Sequence, residues 1–64
     1  MSINTQNDEV EVYKDASGGY RWRRIDGSNG KILFGSTESY VSKTYATEAA
    51  KAYNPGFDVY HAPA

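Results

Sequence analysis

The stretch Tyr20-Arg21-Trp22-Arg23-Arg24-Ile25-Asp26-Gly27-Ser28-Asn29-Gly30-Lys31-Ile32-Leu33-Phe34 decides the fold. At its centre, Asn29-Gly30 is the preferred pair for a two-residue type I′ hairpin turn, because both central positions of that turn need positive φ. The expectation is two antiparallel strands over residues 20–27 and 31–37. Pairing Ser28 with Lys31 sets Ile25 opposite Phe34 and Gly27 opposite Ile32. A regular second strand would then leave Trp22 opposite Thr37, on the other face from Ile25 and Phe34. A single-residue bulge between Trp22 and Ile25, at Arg23 or Arg24, would gather Trp22, Ile25, Ile32 and Phe34 onto one face. The doubled arginine breaks the alternation, so the bulge is expected there.

Upstream, Glu9-Val10-Glu11-Val12-Tyr13-Lys14 alternates with period two, placing Val10 and Val12 on one face and Glu9, Glu11 and Tyr13 on the other. Asp15-Ala16-Ser17-Gly18-Gly19 supplies turn chemistry. With those residues as the loop, Lys14 faces Tyr20, Tyr13 faces Arg21, Val12 faces Trp22 and Glu11 faces Arg23. The arginines on the far face thereby meet acidic partners, with Tyr13 stacked near Arg21.

Downstream, Ser42 is a good N-cap and residues 43–53 read as a helix. Tyr45, Ala49 and Tyr53 lie at i, i+4 and i+8, with Ala46 and Ala50 beside them, forming a narrow apolar stripe. Asn54-Pro55-Gly56 ends the helix, and Phe57-Asp58-Val59-Tyr60 alternates as a short fourth strand or an extended tail. The fold class is therefore α+β, in the order β-β-β-α: a three-stranded antiparallel sheet with one helix packed on one face. Residues 8–60 form one domain, preceded by a flexible lead-in at 1–7 and followed by a flexible tail at 61–64.

Size sharpens the question of partners. The chain has 64 residues and no cysteine, and a domain of about 60 residues buries only about 60% of the surface its unfolded chain exposes. Seven Lys+Arg against eight Asp+Glu give no global attraction to nucleic acid or to an anionic membrane. Residues 1–8 are polar, without the apolar core of a signal peptide, and no run approaches the ~20 apolar residues of a membrane span. A cytoplasmic protein with no membrane association is the expectation.

Three motifs, Tyr20-Arg21-Trp22-Arg23, Asn29-Gly30-Lys31-Ile32 and Glu38-Ser39-Tyr40-Val41-Ser42-Lys43, are preceded by Val10-Glu11-Val12-Tyr13-Lys14-Asp15. Together they resemble the YegP-like family of small proteins, a domain of unknown function. The resemblance covers residues 10–53 and implies strands preceding one helix packed on a single face. It also implies a homodimer, since single-copy members pair with themselves. The chain departs from the family pattern by one extra residue between Trp22 and Asn29, at the doubled arginine. No catalytic residue carries over from the family.

Catalytic and metal chemistry find little support. His61 is the sole histidine and lies near the C-terminus, and Asp8, Glu9 and Glu11 are not at metal-loop spacing. Gly18-Gly19 lacks the following helix and lysine of a phosphate cradle. No cofactor, metal or catalytic residue is assigned. The basic-aromatic strand Tyr20–Arg24 suits weak single-stranded nucleic-acid binding. The favoured reading is a small non-enzymatic protein-interaction module acting as a homodimer or with another protein. Its candidate interaction residues are Tyr13, Arg21, Arg23, Arg24, Leu33 and Tyr40.

Overall fold

Period-two alternation in residues 9–14 and 20–25 produces an uninterrupted antiparallel ladder between β1 (Glu9–Lys14) and β2 (Tyr20–Ile25). The register is the expected one, running from Lys14 opposite Tyr20 through Val12 opposite Trp22 to Glu9 opposite Ile25. A computed structural model describes residues 8–63, so the expected lead-in at 1–7 lies outside the described residues, as does Ala64. Asp15 organises the connecting loop. One carboxylate oxygen accepts from the Ser17 and Gly19 N–H groups and the Ser17 hydroxyl, and the other accepts from Arg21 Nε and the Ser39 hydroxyl. Gly18 takes φ +92°, and Gly19 lies so close to the neighbouring segment that a Cβ there would clash with Ser39 Oγ.

The second hairpin differs from expectation in both its turn and its bulge. Asn29 has no positive φ; only Gly30 does, at 75°. A type I′ turn is therefore replaced by a longer loop, in which Gly30 N–H donates to Asp26 O and Asp26 N–H donates to Lys31 O, both at 2.8 Å. The Asp26 side chain stabilises the turn by accepting from the Ser28 N–H and hydroxyl. In β3 (Ile32–Gly35), Arg24 pairs with Phe34 and Ile25 with Ile32, leaving Leu33 as the extra residue. The bulge thus lies at Leu33 and not at the arginine pair. The physical reason is position in the sheet: a bulge in β2 would disrupt ladders on both sides, whereas in β3 it disturbs one. With β2 regular, Arg24 falls on the face that carries Trp22, and Ile25 falls on the opposite face.

Helix α1 (Lys43–Tyr53) begins at Ser42, whose hydroxyl accepts from Tyr45 N–H at 3.2 Å. Ala46 and Ala50 are fully buried against Val10, Val12 and Trp22, and these five residues form the core. Tyr20, Tyr40, Ala49, Phe57 and Val59 pack around them. The expected stripe is therefore rotated, with Tyr45 60% and Tyr53 67% exposed. Alanine side chains let the helix backbone approach the sheet, so the bulky tyrosines flank the contact. Ile32 and Phe34, expected in the core, are exposed, and Ile25 is half-buried. At the helix end, buried Asn54 donates to Ala50 O from its backbone N–H (3.0 Å) and from Nδ2 (2.8 Å).

A short C-terminal strand, β4 (Val59–His61), pairs parallel to β1, with Val10 opposite Val59 and Val12 opposite His61. Among the described residues, the strands form one four-stranded mixed sheet in the order β3-β2-β1-β4. Strand β4 is the short fourth strand allowed for over residues 57–60, beginning two residues later and ending one residue past the expected domain end. His61 belongs to the sheet, and Ala62 N–H donates to Val12 O at 2.9 Å, so the tail assigned to 61–64 begins later than expected.

Replacing Trp22, 3% exposed at the centre of this core, with alanine is expected to cost about 3–5 kcal/mol in urea unfolding; a variant as stable as wild type would contradict the packing. The Ser39 and Ser17 hydroxyls, followed by Arg21, hold the Asp15 carboxyl well below the usual carboxylate range. A depressed folded-state pKa contributes stability above the unfolded-state value of about 4 and loses it as pH falls through the folded-state value. Unfolding free energy should therefore decline below about pH 4, with a shallower decline in Asp15→Asn.

Candidate functional site

Alternation places Tyr13, Arg21 and Arg23 together on the sheet face that α1 leaves open. Arg23 Nε lies 2.5 Å from Glu11 Oε1, and its guanidinium stacks over the Tyr13 ring at 4.3 Å. The stacking partner is thus Arg23, where Arg21 was expected. Arg21 instead reaches Asp15 at 3.0 Å. On the neighbouring strand, Tyr60 donates its hydroxyl to Glu9 Oε1 at 3.2 Å. Burial, together with the Glu11 and Glu9 carboxylates, raises the Tyr60 pKa.

Arg24 belongs to the other face. Its guanidinium sits 4.1 Å from the Phe57 ring centroid and 5.8 Å from that of Phe34. Nε pairs with Asp8 at 3.2 Å, and a second nitrogen donates to Asn54 Oδ1 at 3.4 Å. Stacking and paired charge let a cation occupy a position that alternation would otherwise give to an apolar side chain. All three arginines of β2 thus have carboxylate partners within the fold.

The remaining expected residues lie near β3. Tyr40 forms an isolated bridge with Tyr20, each backbone N–H donating to the other's carbonyl (2.7 and 2.8 Å). This bridge holds the segment after β3 against the start of β2. Leu33 sits on the outer strand with Ile32 and Phe34, and the three are 49%, 59% and 46% exposed. Between β3 and the C-terminal end of α1 lies a groove of about 340 Å3, lined by Trp22, Phe34, Tyr40, Tyr53 and residues 35–38. Phe34 meets Trp22 edge-on at 5.9 Å and 88°, while Tyr53 stacks on it at 5.6 Å and 24°. Among the described residues, Glu38 is the only charged side chain lining the groove. Among the described residues, Trp22 Nε1 is the one buried side-chain polar atom without a partner, an arrangement that costs about 1–3 kcal/mol.

The six expected interaction residues therefore do not form one surface. Tyr13, Arg21 and Arg23 share the open face, Arg24 is packed on the helix side, Tyr40 lines the groove, and Leu33 lies on β3 outside the groove lining. Sequence reading missed Ile32, Phe34, Tyr53 and Glu38 as surface residues. No local signal marked them, because the exposure of Ile32 and Phe34 follows from the outer position of β3 and that of Tyr53 from the row of α1 that meets the sheet. His61, expected in a tail, is held in β4, with Nε2 2.8 Å from Thr47 Oγ1. No cluster of three or more potential metal ligands occurs among the described residues, and no described helix is long and apolar enough to cross a membrane. Comparison with family models, curated proteins and solved structures finds no match, so the YegP-like resemblance rests on the quoted motifs alone.

The groove makes a spectroscopic prediction. Trp22 emission should be blue-shifted and weakly quenched by acrylamide, and Tyr53→Ala should steepen the quenching by uncovering one indole face. Equal quenching in both proteins would contradict the stacked geometry.

Proposed function

We propose that the chain is a small non-enzymatic protein-interaction module that works as a homodimer through the edge of β3. The observation that carries this reading is the run Ile32-Leu33-Phe34, each about half exposed, on a strand hydrogen-bonded to a neighbour on one side only. An apolar edge strand of this kind templates pairing with another chain unless charge or proline blocks it, and residues 32–35 contain neither. Two-fold self-pairing uses the same edge on both copies and therefore closes, which a head-to-tail contact need not do. The homodimer implied by the YegP-like resemblance agrees with this reading. Single-stranded nucleic-acid binding through Tyr20–Arg24 draws less support from the geometry, because the three arginines are paired with carboxylates and Trp22 lies beneath α1.

Sedimentation equilibrium should find a dimer of the 7.1 kDa chain. Leu33→Lys should shift it to monomer while changing the stability of the folded unit by no more than about 0.5 kcal/mol, as for other exposed positions. A wild-type monomer at millimolar concentration would defeat the proposal. Saturable binding of single-stranded DNA at low salt would favour the other reading.

A further inference from the structure

We infer that the aromatic groove beside β3 receives an ammonium side chain, and that its occupant is Lys31 of a second copy of this chain; this rests on the proposed β3 pairing. The groove presents the exposed rings of Phe34 and Tyr53, packed against buried Trp22, and among the described residues a single carboxylate, Glu38. Rings supply a negative face to a cation within about 6 Å, and the carboxylate supplies the counter-charge. Glu38 and Lys31 are both exposed, and neither takes part in the ion pairs formed among the described residues.

Strand geometry determines where Lys31 goes. Ser36 N–H donates to Trp22 O (3.0 Å) and Asp26 N–H to Lys31 O (2.8 Å), so these ends of the segment are directed toward β2. By the alternation of an antiparallel ladder, the backbones of Ile32 and Gly35 are directed outward. The two-fold register that overlaps all four residues of β3 with its copy sets Ile32 opposite the partner's Gly35. The next position sets Lys31 opposite the partner's Ser36, at the lip of the partner's groove. The faces agree as well. Ser36 lies across from Trp22 and Lys31 across from Asp26, both on the helix-bearing side, and a two-fold axis normal to the sheet keeps the two helices on one side. Within one chain the pair is not formed: Lys31 and Glu38 lie beyond opposite ends of β3, which spans about 13 Å at ~3.3 Å per residue. A four-residue strand pairing alone falls well short of the roughly 1,200–2,000 Å2 of a stable interface, so contacts beyond the strand are needed, and this one adds to them.

Charge reversal in trans tests the inference. Lys31→Glu and Glu38→Lys, each alone, place like charges together at both symmetric sites and should weaken the dimer at least about tenfold. An equimolar mixture of the two should restore dimerisation to roughly the wild-type level, because both sites of the mixed dimer then hold opposite charges. Lys31→Gln should weaken the dimer less than Lys31→Glu, and circular dichroism checks that each variant is folded. Reversals that dimerise like wild type while Leu33→Lys dissociates would overturn the groove contact and leave the β3 edge standing. So would a mixture that stays monomeric although both variants are folded. A wild-type monomer would remove both.

Discussion

The uninterrupted ladder between β1 and β2 is the constraint from which the other features follow. Six consecutive pairs on one side of β2 leave it no freedom to absorb an extra residue. Its regular alternation therefore carries Arg24 onto the core-bearing face, where stacking on Phe57 and pairing with Asp8 make the charge tolerable. The irregularity moves to β3, with Leu33 as the unpaired residue. The exposed apolar edge and the groove beside it are thus downstream effects of a rigid central hairpin.

Asp15 is the second determinant, acting across the chain. By accepting from Ser39 as well as from its own loop, it ties the first hairpin to the segment that follows β3. The Tyr20–Tyr40 bridge fastens the same segment from the other side. Between them these contacts fix the wall that carries Glu38, although Glu38 itself touches neither. A hydrogen-bonded loop carboxylate that does not line the groove therefore helps to set the groove's shape.

Much of the architecture was legible because it depends on local pattern. The β1–β2 register followed from period-two alternation and loop length, and the helix limits from the Ser42 cap and the Asn54-Pro55-Gly56 stop. What stayed hidden depends on residues distant in sequence. Nothing adjacent to Arg24 indicates that Asp8, Asn54 and Phe57 will surround it. The helix stripe identified a face but not its centre, because Ala46 and Ala50 are only one position from Tyr45 and Ala49, and side-chain size rather than period decides which row touches the sheet. Asn29-Gly30 correctly located a reversal, but the Asp26 side chain competed for the turn and changed its type. Leu33 and Tyr40 were named as candidates without the groove that Tyr40 lines being foreseen, whereas Phe34 and Ile32 read as core because an apolar run does not reveal which strand will be the outer one.

The parallel pairing of β1 and β4 has a mechanical consequence. Because the two strands run in the same direction, the start of β1 and the end of β4 lie at opposite ends of their shared ladder. Tension applied through those two points would load the paired residues together in shear, rather than peeling them apart one at a time. A short strand added late in the chain therefore acts as a clasp against stretching, placed beside the core valines Val10 and Val12 that it helps to cover.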